Sequence, residues 1–152
     1  MMNIYNERDS KGQEKVVPIL EDLFSGCTIN LEQHIEDSGE IDIFMTATTK
    51  NNREYYYAIE CKDREYRLSD FDDWIIETRK YRALKQASIR GYRPIYINTF
   101  PDGEYLIWNL NLVEPTERVM KTKRTTVEDT GKVSRLRYLF DKNKYTASGT
   151  TK

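Results

Sequence analysis

Two β-rich runs, residues 41–49 (IDIFMTATT) and 54–62 (EYYYAIECK), are joined by only four residues, KNNR. Asparagine suits a turn because it tolerates left-handed backbone and bonds its own main chain. Four residues cannot carry a crossover to a parallel partner, which takes a dozen or more. The two runs are therefore expected to pair as an antiparallel hairpin, and that hairpin sets the rest of the fold.

Side chains alternate along a strand, and positions i and i+2 lie about 6.7 Å apart on one face. Tyr57, Ile59 and Cys61 then share a core-like face, and Tyr56, Ala58, Glu60 and Lys62 share the other. In the preceding run Ile41, Ile43 and Met45 point one way and Asp42, Phe44 and Thr46 the other. Antiparallel pairing sets the start of one strand beside the end of the next, so Asp42 can face Glu60. An unpaired carboxylate is expensive to bury, and two brought together repel unless a positive charge intervenes. Mg²⁺ or Mn²⁺, a hard cation held by oxygens and several waters, resolves the conflict. Lys62 can then orient or deprotonate a water, or stabilise charge on a phosphate. Glu14, on the first predicted helix, is a further candidate ligand for a second ion, since two ions can clamp the attacking and leaving oxygens of a phosphodiester. The plain structural alternative is a cross-strand salt bridge between Glu60 and Lys62 or a neighbouring arginine.

Composition narrows the chemistry. The 152 residues are 38% hydrophobic and 32% charged, with eleven tyrosines, which suits one domain with a well-solvated surface. Two cysteines, Cys27 and Cys61, are too few for a disulfide framework or a zinc site. The one histidine, His34, lies in QHIED without a nucleophile motif nearby, so His-dependent hydrolysis is not expected. No apolar run approaches the roughly 20 residues needed to cross a bilayer. The opening MMNIYNERDSKGQEK lacks the pattern of a secretory signal, and the expected setting is cytoplasmic.

Charge is unevenly spread. Residues 1–60 hold 5 Lys/Arg against 12 Asp/Glu, a net of −7, while residues 118–152 hold 10 against 3, a net of +7. An acidic front and a basic end suit a carboxylate site beside a surface that attracts an anion, although a basic solvated tail without a partner has the same composition.

The remaining elements follow from pattern. A helix is predicted over 11–24, opened by a Ser10-x-x-Gln13 capping box and awkwardly containing Pro18. A short strand is expected at 27–34. A second helix is predicted to start at Ser69 or Asp70, with Asp70, Asp72 and Asp73 in its first turn, and to stop at Gly91. Trp74, Ile75 and Leu84 are assigned to its core face. Strands are predicted at 93–100 and 104–112 around the turn Pro101-Asp102-Gly103. Two polar strands, 118–127 and 132–140, flank the hairpin signal Glu128-Asp129-Thr130-Gly131. Residues 146–152 read as frayed. The result is a mixed α/β (α+β) fold of order α-β-β-β-α-β-β plus a C-terminal hairpin. It forms one domain over 1–152, with its core at about 11–112 and a basic hairpin or tail over 118–152.

Asp42, seventeen intervening residues and Glu60-Cys61-Lys62 resemble the PD-(D/E)XK nuclease superfamily. The strand–turn–strand setting, the helix after the lysine and the α-β-β-β-α-β order resemble it too, over roughly residues 11–100. Within it the chain looks most like small Holliday-junction-resolvase-like and restriction-endonuclease-like members. Ile41 replaces the family's proline before the aspartate. The resemblance implies metal-dependent hydrolysis of a nucleic-acid backbone, with Asp42 and Glu60 as ligands, Lys62 as the catalytic lysine and a helix-one glutamate such as Glu14 near the metal.

Two basic groups suit a phosphate backbone. One is Arg79, Lys80, Arg82 and Lys85, with Tyr81 among them; the other is Lys121, Lys123, Arg124, Arg135 and Arg137 in the tail, followed by Lys142 and Lys144. The tail hairpin can extend the sheet to grip DNA, or serve as a homodimer arm that sets two sites on one substrate. The expectation is a Mg²⁺- or Mn²⁺-dependent DNA endonuclease. The competing one is a non-catalytic nucleic-acid-binding or assembly subunit that keeps the same fold.

Overall fold

The computed structural model describes residues 4–33, 41–123 and 132–151, with backbone alone at 4–11, 33, 119–123 and 132–136. His34, Arg124 and the turn 128–131 lie outside the described residues. The chain runs α1 (Ile4–Leu23), β1 (Thr28–Gln33), β2 (Ile43–Thr48), β3 (Glu54–Asp63), β4 (Asp73–Ile76), α2 (Thr78–Ile89), β5 (Arg93–Thr99), β6 (Glu104–Asn109), β7 (Thr116–Lys123), β8 (Lys132–Asp141) and β9 (Ala147–Thr150). Among the described residues, no helix is long and apolar enough to cross a membrane.

A six-stranded mixed sheet, ordered β1-β2-β3-β5-β6-β9, carries two helices. The hairpin of β2 and β3 forms as the sequence demands, in a register running from Thr48↔Glu54 to Ile43↔Ile59. Asn52 adopts φ 60° in its turn, the left-handed backbone that asparagine tolerates. β3 then pairs in parallel with β5, and α2 lies within the crossover between them, as parallel pairing requires.

The alternation in β3 divides two cores. Ile59 and Cys61 pack with Ile43, Met45, Ile97 and the Val16, Ile19 and Leu20 stripe of α1. Ala58 faces the other way, into a core built by Trp74, Ala83, Leu84, Ala87, Tyr96, Trp108 and Phe140. A strand buried on both faces is the natural place for a run such as Ala-Ile. Glu60 sits in that run, and its burial therefore calls for a reason.

α1 begins at Ile4, seven residues before the predicted start, so Ser10 lies inside the helix rather than capping it. Pro18 is also internal. It lacks the N–H that would bond the carbonyl of Glu14, and the flanking Ile19 and Leu20 are buried against the sheet, which offsets that loss.

The second predicted helix is corrected more deeply. Residues 73–76 form a strand, and α2 starts only at Thr78. Trp74 and Ile76 are buried while Ile75 is half-buried, a period of two. β4 pairs with β8, Trp74 opposite Phe140, and that distant partner overrides the local helical spacing. The three aspartates therefore do not serve a helix dipole. Asp70 accepts the Arg67 backbone N–H at 2.8 Å, and Asp72 lies 3.6 Å from Lys142. Gly91 ends α2 as expected, at φ 97°.

The tail hairpin of β7 and β8 joins β4 in a separate three-stranded sheet, ordered β4-β8-β7, rather than extending the main one. Beyond it the chain is not frayed. Ala147–Thr150 pairs antiparallel with β6 at the sheet edge. Gly103 turns β5 into β6 at φ 88°, and a Cβ there would come 2.5 Å from the Thr151 carbonyl oxygen. The strand β9 and the glycine turn thus require one another.

Candidate active site

Asp42 precedes β2 by one residue. The register that pairs Ile43 with Ile59 carries it opposite Glu60, one step further along. Its Oδ2 accepts the Cys61 backbone N–H at 2.9 Å, which ties the carboxylate to the strand that bears Glu60.

Glu60 is 1% exposed. The Lys80 Nζ reaches its Oε1 at 2.9 Å from α2. Apart from that ion pair, neither Glu60 oxygen has a hydrogen-bond partner among the described residues. Asp42 lies within hydrogen-bonding reach, but two ionised carboxylates are both acceptors, so a bond between them forms only when one holds a proton. With all three groups ionised, two negative charges face one positive, leaving the corner one charge short of neutral.

Burial raises the Glu60 carboxyl above its ordinary 4.5, the Asp42 charge raises it further, and Lys80 pulls it partly back. Burial favours the neutral form of Lys80, but the Glu60 and Asp42 carboxylates outweigh it and hold the ammonium charged. The folded protein thus binds the Glu60 proton more tightly than the unfolded chain does. Where the folded state holds more protons, stability falls as pH rises. In chelator-containing buffer, stability should therefore decline as pH climbs from 4.5 through the raised folded value. Glu60→Gln should flatten that decline even though its overall stability differs. Urea midpoints across this range check it; an unchanged slope in Glu60→Gln would refute the assignment.

Lys62 follows Glu60 on the same face of β3 and is exposed. Both line a pocket of about 230 Å³ with Arg64, Glu77, Lys80 and Arg137. Arg64 is committed to structure. Its Nε donates to Asn98 Oδ1, and its Nη2 donates to the Ile75 carbonyl at 2.6 Å and the Tyr96 hydroxyl at 3.0 Å. The guanidinium also lies 5.3 Å from the Trp74 ring centroid. It holds β4 against the end of β3 and forms one wall. Lys62 and Arg137 are the further basic side chains of the lining.

The structure thus brings Asp42 to Glu60, and Glu60 to Lys62. It leaves Glu14 out. α1 turns Gln13, Val16, Ile19 and Leu20 into the protein, and Glu14 falls off that stripe and is exposed. Among the described residues, no group of three or more His, Cys, Asp or Glu side chains gathers as a metal site. The neighbouring Lys15 instead binds both oxygens of Asp63 at 3.0 and 2.9 Å, fastening α1 to the end of β3. Two hard carboxylates side by side, one of them buried with a single ammonium against it, fit a Mg²⁺ or Mn²⁺ ion that keeps most of its waters. They do not fit a second ion held by Glu14.

The basic residues separate. Arg79 and Arg82 are exposed on α2 and line one shallow groove, and Lys85 is half-buried. Lys80 turns inward to Glu60, so it is part of the carboxylate corner and not of the outer basic face. Tyr81 stacks on Tyr138 of β8 with ring centroids 4.1 Å apart, which docks α2 on the second sheet. Lys121 and Lys123 lie on β7 and Arg135 on β8, where the backbone alone is described. Among the described side chains of the tail, Arg137 reaches the pocket.

Sequence reading missed Arg64, Tyr96 and the inward turn of Lys80. The last had a signal. Lys80, Ala83, Leu84 and Ala87 fall at helical spacing on the buried stripe, and a lone lysine in such a stripe needs a buried counter-charge. Comparison with protein-family models, with curated proteins and with solved structures returned no match.

Proposed function

We propose that the chain is a divalent-metal-dependent endonuclease of DNA, built on a restriction-endonuclease-like core. The observation that carries this reading is the buried Glu60 carboxylate, beside Asp42 and on the same pocket-facing side of β3 as Lys62. The order α1, β1–β3, α2, β5, with α1 and α2 on opposite faces of a mixed sheet, supports the fold assignment.

Asp42 and Glu60 would hold Mg²⁺ or Mn²⁺, which supplies Lewis-acid polarisation of a phosphate oxygen and a more acidic water. The chain's own groups do the rest. The Cys61 N–H fixes Asp42, and the sheet fixes Glu60, so the two carboxylates need little reorganisation on binding. Lys62 reaches the mouth of the pocket, where its ammonium orients the attacking water and stabilises charge on the phosphate. Arg137 grips the phosphate from β8. Arg79 and Arg82 add salt-dependent, sequence-independent attraction for the backbone. Branched and linear duplex DNA both present such a backbone, and a homodimer would set two sites on one substrate.

A second reading has its own observation. The Lys80 ammonium already supplies a cation to Glu60, so the corner can close without a metal. The chain would then be a DNA-binding or assembly subunit. Labelled four-way junction, linear duplex, single strand and RNA, incubated with and without Mg²⁺ or Mn²⁺, separate the two. Ion-dependent cutting of DNA is the expected result; retention of DNA with no cutting in either ion favours the second reading.

A further inference from the structure

We propose that Lys80 couples the carboxylate corner to its substrate. Its ammonium holds Glu60 in the ion-free protein and transfers to a nucleic-acid phosphate when a divalent ion takes that carboxylate. The inference rests on the nuclease reading and assigns a positioning residue that the sequence had placed on the outer basic face.

Lys80 contacts Glu60 at 2.9 Å. A divalent ion bound by the same carboxylate would stand within a few ångströms of the ammonium. Like charges at about 4 Å in a partly buried site repel by several kcal/mol. The ammonium must then leave Oε1, and an ammonium without a partner is costly to bury. Its side chain is 23% exposed, so it opens to the pocket instead of being sealed beneath it. Lys62 and Arg137 line the same pocket and add to its positive charge. Asp42, the second carboxylate acting on Lys80, would be held by the same ion, and Glu77, the N-cap residue of α2, is the weaker third. Glu77 is exposed, where water weakens its pull on the displaced ammonium. A phosphate entering the pocket is the stronger partner.

Two consequences follow. Before substrate arrives, Lys80 competes with the ion, so its removal tightens ion binding. Once substrate is present, Lys80 makes ion and phosphate binding mutually supportive, and linkage requires each to strengthen the other equally.

Calorimetric titration of Mn²⁺ into the wild-type protein and Lys80→Met, without nucleic acid, tests the first. Lys80→Met should bind Mn²⁺ about tenfold tighter. Anisotropy of a labelled short duplex, with and without Ca²⁺, tests the second: Ca²⁺ should raise duplex affinity severalfold more in wild type than in Lys80→Met. If Lys80→Met does not fold, Lys80→Gln keeps a donor for Oε1 without the charge and should show the same two changes. Equal or weaker Mn²⁺ binding in the folded variant, or an equal Ca²⁺ gain, overturns the role of Lys80 and leaves the metal site standing. Absence of Mn²⁺ binding in folded wild type and variant alike overturns the metal site itself, and this role with it.

Discussion

Asp42→Asn and Lys62→Ala should each abolish Mg²⁺-dependent DNA cleavage while leaving the fold intact. Lys62 is exposed at the end of β3, so trimming it leaves no hole in the core. Its loss removes the ammonium proposed to serve water and phosphate, and such groups contribute on the order of 10² to 10⁴ in rate. Asparagine at 42 keeps an oxygen that can accept the Cys61 N–H now bound at 2.9 Å. It loses only the charge that a divalent ion needs, so the rate should fall at least as far as in Lys62→Ala. Alanine at 42 would also strand that N–H, at a cost of about 1–3 kcal/mol, and would confuse the two effects. Single-turnover cleavage together with urea denaturation checks both variants. Full activity in either would defeat the assignment.

The largest stability effect should come from Trp108→Ala. Trp108 is fully buried at the seam between the two sheets. Its indole N–H donates to the Asp141 carbonyl at 3.1 Å. Its ring lies 5.4 Å from Phe140 and 5.9 Å from Tyr96. β6 thereby holds β8, and with it the wall of the pocket that carries Arg137. Truncating a buried aromatic of this size costs about 3–5 kcal/mol, or a fall in melting temperature of roughly 10 °C or more for a chain of this length. Trp108→Phe keeps most of the ring contact and loses the N–H bond, so it should cost about 1–2 kcal/mol. Differential scanning calorimetry distinguishes the two; similar melting temperatures for wild type and Trp108→Ala would show that the second sheet is not held there.

The part of the fold readable in the sequence is the part that local rules decide. The alternation of Tyr57, Ile59 and Cys61 against Ala58, Glu60 and Lys62, with a four-residue turn before it, gave the hairpin, its faces and the meeting of Asp42 with Glu60. Gly91 and Gly103 marked real turns because their backbone needs φ above zero. What escaped depended on distant partners. β4 looked helical because Trp74 and Ile75 sit at helical spacing from Leu84, and only pairing with residues 138–141 makes it a strand. β9 is short and polar, and it is ordered by β6 rather than by its own propensity. Glu14 and Lys80 failed for a related reason. Which way a helical side chain points depends on the helix's packed stripe, and here Gln13 and Lys80 face inward while Glu14 faces out.

In the proposed mechanism Asp42 and Glu60 hold a divalent cation next to Lys62. Crystals soaked in Mn²⁺ and measured for anomalous scattering test it most directly. One strong peak is expected within bonding distance of both carboxylates, with the Lys80 ammonium moved off Glu60. No peak there at saturating Mn²⁺, with Lys80 still paired to Glu60, would contradict it.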